Sequence, residues 1–237
     1  MPLEESLHLL LKYIEGQDYR GFDPYDALLS PFFKLPVLKS NKLLRFGTQQ
    51  FIKRFPINLR PLLLVPRGLN PVSLGLCIQG YAYLSGAYPD KRSSFIEKIR
   101  TLTKKLAGLI PKGYAGACWG YDFDWEARDA KIMAYQPTVV ATGIITNALF
   151  TAWRLLSLEK CRNLCLSASK FILKDLQRTY DGPDRFCFSY SPFDQQQVFN
   201  ASMKGVRLLA QVWSETHEVA LKEAARSAVD FVVHQQR

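Results

Sequence analysis

Two kinds of helical pattern alternate along the chain. In the first kind an apolar stripe with helical spacing lies opposite a charged face, which is typical of helices with one side in water. These segments are 91–110, 159–178 and 218–235, and the stripe of the last is Ala220, Ala224, Ala228, Phe231 and Val232. In the second kind charge is scarce and Gly, Ala, Ser and Thr are frequent, which is typical of enclosed helices. These segments are 71–85, 138–156 and 197–213.

An enclosed helix, a short turn and an amphipathic helix therefore form a unit that repeats with a period of about 60 residues. Repeated helical hairpins form either a solenoid or a closed α/α toroid. The alternation favours a toroid, with the enclosed helices as the inner ring and the amphipathic helices as the outer ring. We predict an all-α fold of repeated helical hairpins that form an incomplete α/α toroid.

The whole chain, residues 1–237, is expected to form one toroid domain because no Gly/Ser- or Pro-rich linker interrupts it. Residues 1–55 fit the repeat less well and are interpreted as an irregular first hairpin, with helices around 7–14 and 37–54. The sequence stops in the last turn of a helix, and the clear hairpins are too few to close a ring. We therefore expect an N-terminal fragment of a longer protein.

Long connections separate the hairpins, whereas the turns inside each hairpin are short. The long connections are 55–70, 111–137 and 179–196. In a ring of hairpins these loops emerge at one end, and long loops without structure of their own are usually functional. The sequence therefore predicts a site on one rim of the toroid.

The loop 113–125 carries the densest set of polar and aromatic residues. Asp122 and Asp124 are predicted as catalytic residues because a carboxylate acts as a general acid or base and accepts hydrogen bonds from sugar hydroxyls. Aromatic planes stack on the C–H faces of sugars, and a cation holds anionic groups; the residues predicted for these roles are Trp119, Tyr121, Trp125 and Arg128. In the alternative interpretation the aromatics plug the ring and the aspartates cap helices or pair with Arg128.

Three further rim segments add polar groups. The first is 19–26, which begins with Tyr19 and Arg20. The second is Pro56–Pro61, whose prolines make the loop rigid. The third includes 186–190, where alternating aromatic residues predict a short extended segment. The residues predicted to bind substrate are Asp23, Tyr25, Asp26, Asn58, Arg60, Arg185, Tyr190 and Asp194. The alternative is turn chemistry and local packing.

Composition narrows the classes of function. The net charge of +10 could attract a polyanion, but no nucleic-acid-binding signature is present, so nucleic acid is not expected as a partner. There is no CxxC pair, GxGxxG motif or P-loop, and the three histidines are scattered, so no metal or cofactor is expected. Glutamates rather than lysines open the chain, and no run of about 18 uncharged apolar residues occurs. A cytoplasmic location is expected, with no transmembrane segment, and peripheral membrane contact stays open.

Several segments resemble a bacterial family of uncharacterised function. They are GFDPYDALLSP, PINLRPLL, the WGYDFDW loop and FCFSYSPFD with FNASMKGVRLLAQVW, and the resemblance spans nearly the whole chain. Its members resemble α/α-toroid proteins and are often encoded among genes for surface-polysaccharide biosynthesis. They continue past the point where this chain ends. The toroid is shared by six-hairpin glycosidases, polysaccharide lyases, epimerases and terpenoid cyclases, and a fold does not choose among functions.

The resemblance and the rim residues together favour a protein that binds or modifies a saccharide, free or lipid-linked, during polysaccharide assembly. If it is an enzyme, a hydrolase, lyase or epimerase activity is expected. One alternative is a terpenoid-cyclase-like or prenyltransferase-like toroid acting on a polyprenyl or lipid-linked substrate, although the cyclase DxDD motif is absent. The other is a non-catalytic scaffold that uses a basic outer face including Lys104 and Lys105.

Overall fold

The structure, a computed structural model, describes residues 2–126 and 131–236, and these are mostly helical, with 63% helix and 5% strand. The all-α prediction is confirmed. The α-helices in these ranges are α1 (Leu3–Gly16), α2 (Pro36–Ser40), α3 (Lys42–Arg54), α4 (Pro71–Ala87), α5 (Arg92–Gly108), α6 (Val139–Leu156), α7 (Glu159–Lys174), α8 (Phe199–Thr216) and α9 (Val219–Gln235). Two antiparallel hairpins are formed by β1 (Trp125–Glu126) with β2 (Lys131–Ile132), and by β3 (Arg178–Tyr180) with β4 (Phe186–Phe188).

The chain divides into two compact units. Unit 1 consists of Met1–Ser73 and Tyr121–Gln136, and unit 2 consists of Leu74–Gly120 and Pro137–Arg237. The loop between α5 and α6 therefore contributes its ends to unit 2 and its middle to unit 1. The sequence predicted one domain over 1–237, and the two units are described in turn.

Unit 2 contains the helical hairpins that the sequence predicted. Helix α6 packs against both α7 and α8, α8 packs against α9, and α5 packs against α7. Helix α4 approaches α6 at Gly75, where an added Cβ would lie 3.2 Å from the Cα of Ile145. The predicted inner helices are thus neighbours of one another within this unit.

Small residues allow α6 and α8 to lie close together. A Cβ on Gly143 would lie 2.6 Å from the Cβ of Lys204, and a Cβ on Gly205 would lie 2.9 Å from Cγ2 of Val139. Any side chain at these positions would force the two helices apart, since protein interiors are close-packed. The glycines of the predicted enclosed helices therefore have a packing role.

The turns that end α6 and α8 repeat each other in detail. Ser157 and His217 both adopt left-handed backbone conformations, with φ of 54° and 57°. The N–H of each donates a 2.8 Å hydrogen bond to a tryptophan carbonyl, that of Trp153 or Trp213. A cation nine positions after each tryptophan lies over its ring: Arg162 at 5.5 Å and Lys222 at 5.1 Å. The predicted repeat of about 60 residues is present in the backbone as well as in the sequence.

Two details of the predicted pattern are wrong. In α9 the buried stripe includes Leu221 and excludes Ala220, because Leu221 also keeps the helical spacing and buries more apolar surface than alanine. Helix α4 is not fully enclosed: Leu76 and Tyr83 are 53% and 58% exposed, since its packed side already contacts α5 and α6.

One helix in the described ranges, α6, is long and apolar enough to cross a membrane by length and composition, with a mean hydropathy of 1.4. Half of it is buried inside the protein, which is typical of a core helix. The largest fully buried side chains of unit 2 are Trp119, Phe171, Phe188 and Phe231.

Unit 1 is less regular than unit 2. Helix α1 buries none of its residues, and two 3-10 turns, Asp26–Leu29 and Pro31–Lys34, follow it. The predicted helix 37–54 is interrupted at Asn41, whose backbone is extended. The Asn41 side chain caps α3 by accepting a hydrogen bond from the N–H of Leu44. Helix α3 buries only Gln49 and Ile52.

Gln49 ties two distant segments of unit 1 together. Its side-chain amide donates a 3.0 Å hydrogen bond to the Tyr25 carbonyl and accepts a 3.2 Å bond from the N–H of Glu126. Arg45, one turn earlier on α3, pairs with the Glu126 carboxylate at 2.8 Å. Helix α3 therefore positions the 23–26 segment and the loop that carries Asp122 within one unit.

Candidate functional site

A polar cleft lies entirely within unit 1. The space between its walls is about 320 Å³ when the open solvent at its mouth is included. A reciprocal pair of backbone hydrogen bonds between Gly21 and Gly68, of 3.0 and 2.8 Å, brings its two walls together. The side chains that line it are Tyr19, Phe22, Asp23, Asp26, Leu29, Asn70, Ser73, Asp122 and Phe123.

The carboxyl group of Asp122 lies against the backbone of Gly68. A Cβ built on Gly68 would lie only 1.9 Å from Oδ2 of Asp122, so no larger residue fits there while Asp122 keeps its place. Asp122 is 7% exposed, and no other residue in the described ranges donates a hydrogen bond to its side chain.

The pKa of Asp122 is raised to about 6, chiefly because burial disfavours the charged form. Its own backbone N–H opposes this shift, and so does the charge of Arg20, whereas the charges of Asp23 and Asp26 add to it. A carboxyl group with this pKa is half protonated at about pH 6 and keeps its proton roughly a tenth of the time at pH 7, far more often than an ordinary aspartate, which suits a general acid.

Arg60 holds the carboxylate of Asp26 and the backbone of Asp23. Its Nε donates a 2.6 Å hydrogen bond to Oδ1 of Asp26, and its Nη2 donates a 2.8 Å bond to the backbone carbonyl of Asp23. Asp23 accepts hydrogen bonds from the N–H of Tyr25 at 3.0 Å and from the side chain of Asn70 at 3.2 Å. Burial raises the pKa of both carboxyls. At Asp23 the hydrogen bond from the Tyr25 N–H and then the charge of Arg60 oppose this rise, and at Asp26 the hydrogen bond and charge of Arg60 oppose it.

Aromatic rings accompany these charges. Phe22 lines the cleft with the guanidinium groups of Arg60 and Arg67 at 5.9 and 5.6 Å from its ring centre. Tyr121 stacks on Phe123 with ring centres 5.4 Å apart. Tyr135 adopts a left-handed conformation with φ of 61°, and burial followed by the nearby charge of Asp122 raises the pKa of its hydroxyl.

The structure separates the two aspartates that the sequence paired. Oδ1 of Asp124 accepts a 2.9 Å hydrogen bond from the N–H of Ala134, and Asp124 does not line the cleft. Its carboxylate therefore holds the backbone of the segment that follows β2. Asp122 instead groups with Asp23 and Asp26, which the sequence had placed only on the same rim.

Trp119 belongs to the core of unit 2. Its ring is completely buried, and Nε1 donates a 2.9 Å hydrogen bond to the Leu106 carbonyl. It has no exposed face on which a sugar could stack. Trp125 is partly buried and meets Tyr25 edge to face at 6.3 Å, and Arg128 lies outside the described residues.

The other predicted binding residues have local partners. Asn58 accepts a 3.2 Å hydrogen bond from the Arg60 N–H and so shapes its loop. In unit 2, Arg185 pairs with Asp181 at 3.0 Å beside the β3–β4 hairpin. Asp194 accepts hydrogen bonds from the Ser191 hydroxyl at 2.5 Å and from the Tyr190 N–H at 3.1 Å. The predicted convergence of these residues with those of unit 1 stays a prediction.

Sequence reasoning missed several residues of the cleft. Asn70 lines the cleft and also caps α4, since its Oδ1 accepts the N–H of Val72 at 2.9 Å. Gly21, Gly68 and Phe22 were not singled out. The one available signal for Gly68 was its place between two proline-containing turns, and that does not reveal what lies opposite.

The carboxylates of the cleft suit proton transfer and hydroxyl recognition. Among the described residues no group of three or more His, Cys, Asp or Glu side chains could hold a metal ion. Comparisons of the chain with protein-family models, with curated proteins and with solved structures gave no match.

Proposed function

We propose that the protein binds and modifies a saccharide in the cleft of unit 1, with Asp122 as the general acid. The observation that carries the proposal is the position of Asp122: a nearly buried carboxyl that lines the cleft, with a pKa of about 6 and two further carboxyls lining the same cleft. A protonated Asp122 can donate its proton to a bridging or leaving oxygen. Asp23, which two donors hold in place, is then available as a base or a hydroxyl acceptor.

The other groups of the cleft support a sugar rather than an apolar substrate. Asn70 and Asp23 present hydrogen-bonding groups suited to hydroxyls, while the partly exposed Phe22 offers apolar surface for C–H faces. The terpenoid alternative requires a deep apolar cavity, and a cleft lined by three carboxyls does not supply one. We extend the proposal to a toroid arrangement of the hairpins and to a cytoplasmic role in surface-polysaccharide assembly, which the resemblance to the bacterial family supports.

The test begins with a thermal-shift screen of oligosaccharides and nucleotide sugars against the whole chain. For a compound that binds, Asp122→Asn is expected to reduce turnover by at least 100-fold, the low end of what a positioned general acid contributes, while binding changes much less. Asp124→Asn is the matched control and is expected to keep turnover, because Asp124 supports a loop outside the cleft.

Unchanged turnover in Asp122→Asn contradicts the proposal, and so does equal loss in the two variants. The pH dependence is a separate check. Because the acid must carry its proton, the rate is expected to fall as pH rises through about 6.

A further inference from the structure

Residues 27–89 contain no acidic side chain, although the chain as a whole has 21. The same stretch carries eight lysines and arginines, all within unit 1. Two of them are partly buried in ion pairs, Arg45 with Glu126 and Arg60 with Asp26. The exposed cations are Lys34, Lys39, Lys42, Lys53, Arg54 and Arg67.

Large apolar side chains are exposed in the same part of unit 1. Leu43 at the start of α3 is 80% exposed, Val37 on α2 is 72% exposed, and Leu62 in the following loop is 76% exposed. The others are Phe32, Leu35, Leu44, Phe46, Phe51, Phe55, Ile57 and Leu64. Exposed single leucines are ordinary, but a concentration of this size marks an interaction surface. We call residues 31–64 the basic apolar segment.

We propose that the basic apolar segment docks unit 1 on a lipid surface that carries anionic headgroups. Leucine, valine and phenylalanine side chains interleaved with lysine and arginine are the composition of interfacial membrane-binding segments, in which apolar groups enter the headgroup region and cations contact the anions. The absence of any acidic residue in the segment removes the repulsion that such a surface would otherwise meet.

Charge argues against the other occupants of this surface. A second copy of the chain would bring two sets of exposed cations together, which disfavours a symmetric contact. A nucleic acid would match the charge but offers no apolar region to exposed Leu43, Leu62 and Val37. An anionic bilayer surface satisfies both features.

The docking surface and the candidate saccharide cleft share one loop. Leu62 and Leu64 are exposed on either side of Leu63, whose carbonyl accepts a 2.7 Å hydrogen bond from the Ser30 hydroxyl. Arg60, two residues before Leu62, holds Asp26 in the cleft wall. The residues proposed to meet the lipid are therefore close in sequence to a residue that shapes the cleft. The docking proposal does not depend on the proposed saccharide function.

The experiment is co-sedimentation of the whole chain with phosphatidylcholine vesicles that do or do not contain phosphatidylglycerol. Binding is expected only with phosphatidylglycerol and is expected to weaken as salt rises, because surface attraction is screened within a Debye length. Lys34→Gln with Lys39→Gln is expected to weaken binding by about 25-fold, since each cation near an anionic surface contributes roughly fivefold. Leu43→Glu with Leu62→Glu is expected to abolish it.

The matched control is Val233→Glu with Lys104→Gln, which changes a 62% exposed apolar residue and an exposed cation of unit 2 and is expected to leave binding unchanged. Circular dichroism checks that each variant keeps its helices. No binding by the wild type, equal binding to pure phosphatidylcholine, or equal loss in the control would overturn the proposal. Conversion of an oligomer to a monomer by Leu43→Glu with Leu62→Glu, with vesicle binding retained, would also overturn it and would indicate self-association.

Discussion

Replacing Gly68 by alanine tests the geometry of the cleft directly. The new methyl group would lie 1.9 Å from Oδ2 of Asp122, well inside the carbon–oxygen contact distance of about 3.3 Å. The carboxyl must therefore move, and overpacking of this kind typically costs about 1–3 kcal/mol. Gly68 is not in the left-handed region, so alanine can adopt its backbone conformation. Alanine also reduces the conformational entropy of the unfolded chain, which stabilises the folded protein by about 0.4–1 kcal/mol.

The net loss of unfolding free energy for Gly68→Ala is thus expected to be about 1–2 kcal/mol. The same substitution in an Asp122→Ala background meets no carboxyl and is expected to stabilise the protein slightly. Urea unfolding of the four proteins gives the coupling free energy between the two positions, which we expect to be about 1–3 kcal/mol. An equal effect of Gly68→Ala in both backgrounds would show that Asp122 does not lie against this glycine.

Three further predictions concern individual groups. The raised pKa of Asp122 means that its contribution to stability is full below its unfolded value near 3.8 and is lost as pH rises through about 6. Asp122→Asn is therefore expected to gain roughly 2.5 kcal/mol relative to the wild type between pH 4 and 7 in urea unfolding, and no relative gain would contradict it. Arg60→Met leaves the buried carboxylate of Asp26 without its ion pair and should cost about 3 kcal/mol, with Arg60→Lys recovering little because Lys cannot reach both partners; full recovery by Lys would refute the two-point contact. Trp119→Phe should cost about 1–3 kcal/mol in thermal or urea unfolding, because it removes the indole N–H bond to the Leu106 carbonyl, which keeps only its bond from the Leu109 N–H, and leaves part of the buried indole volume empty. Saccharide binding should stay unchanged, and weakened binding with intact stability would restore Trp119 to the site.

The helices could be predicted because their signals are local. Helical spacing at Phe95, Ile99 and Leu102 and the Asn70–Pro71 start both act within a few turns of chain, so α4 and α5 begin and end within a few residues of their predicted bounds. The same is true of β4, where alternating aromatics predicted extended backbone. The break at Asn41 shows the limit of this approach, since one side-chain cap divided a segment that the apolar pattern read as a single helix.

The cleft could be predicted only in part because its contacts join distant residues. Asp23, Asp26, Arg60 and Asp122 were all selected for their chemistry, but sequence spacing paired Asp122 with Asp124. In the irregular loop between α5 and α6, side chains close in sequence point in different directions. The partners of each side chain depend on which distant segment the loop packs against. Neither the sequence around Gly68 nor the sequence around Asp122 contains a signal that predicts their contact. Trp119 likewise shares the aromatic loop with Tyr121, but only the packing of unit 2 shows that its ring is buried.

The paired left-handed turns at Ser157 and His217 have a consequence for engineering. A residue with a Cβ is destabilised in this conformation by about 1 kcal/mol relative to glycine, which adopts it freely. Both positions are exposed and belong to unit 2, whereas the cleft is formed by residues of unit 1. Ser157→Gly or His217→Gly is therefore expected to make the protein more heat-resistant. Neither substitution changes a residue that is proposed to contact the substrate.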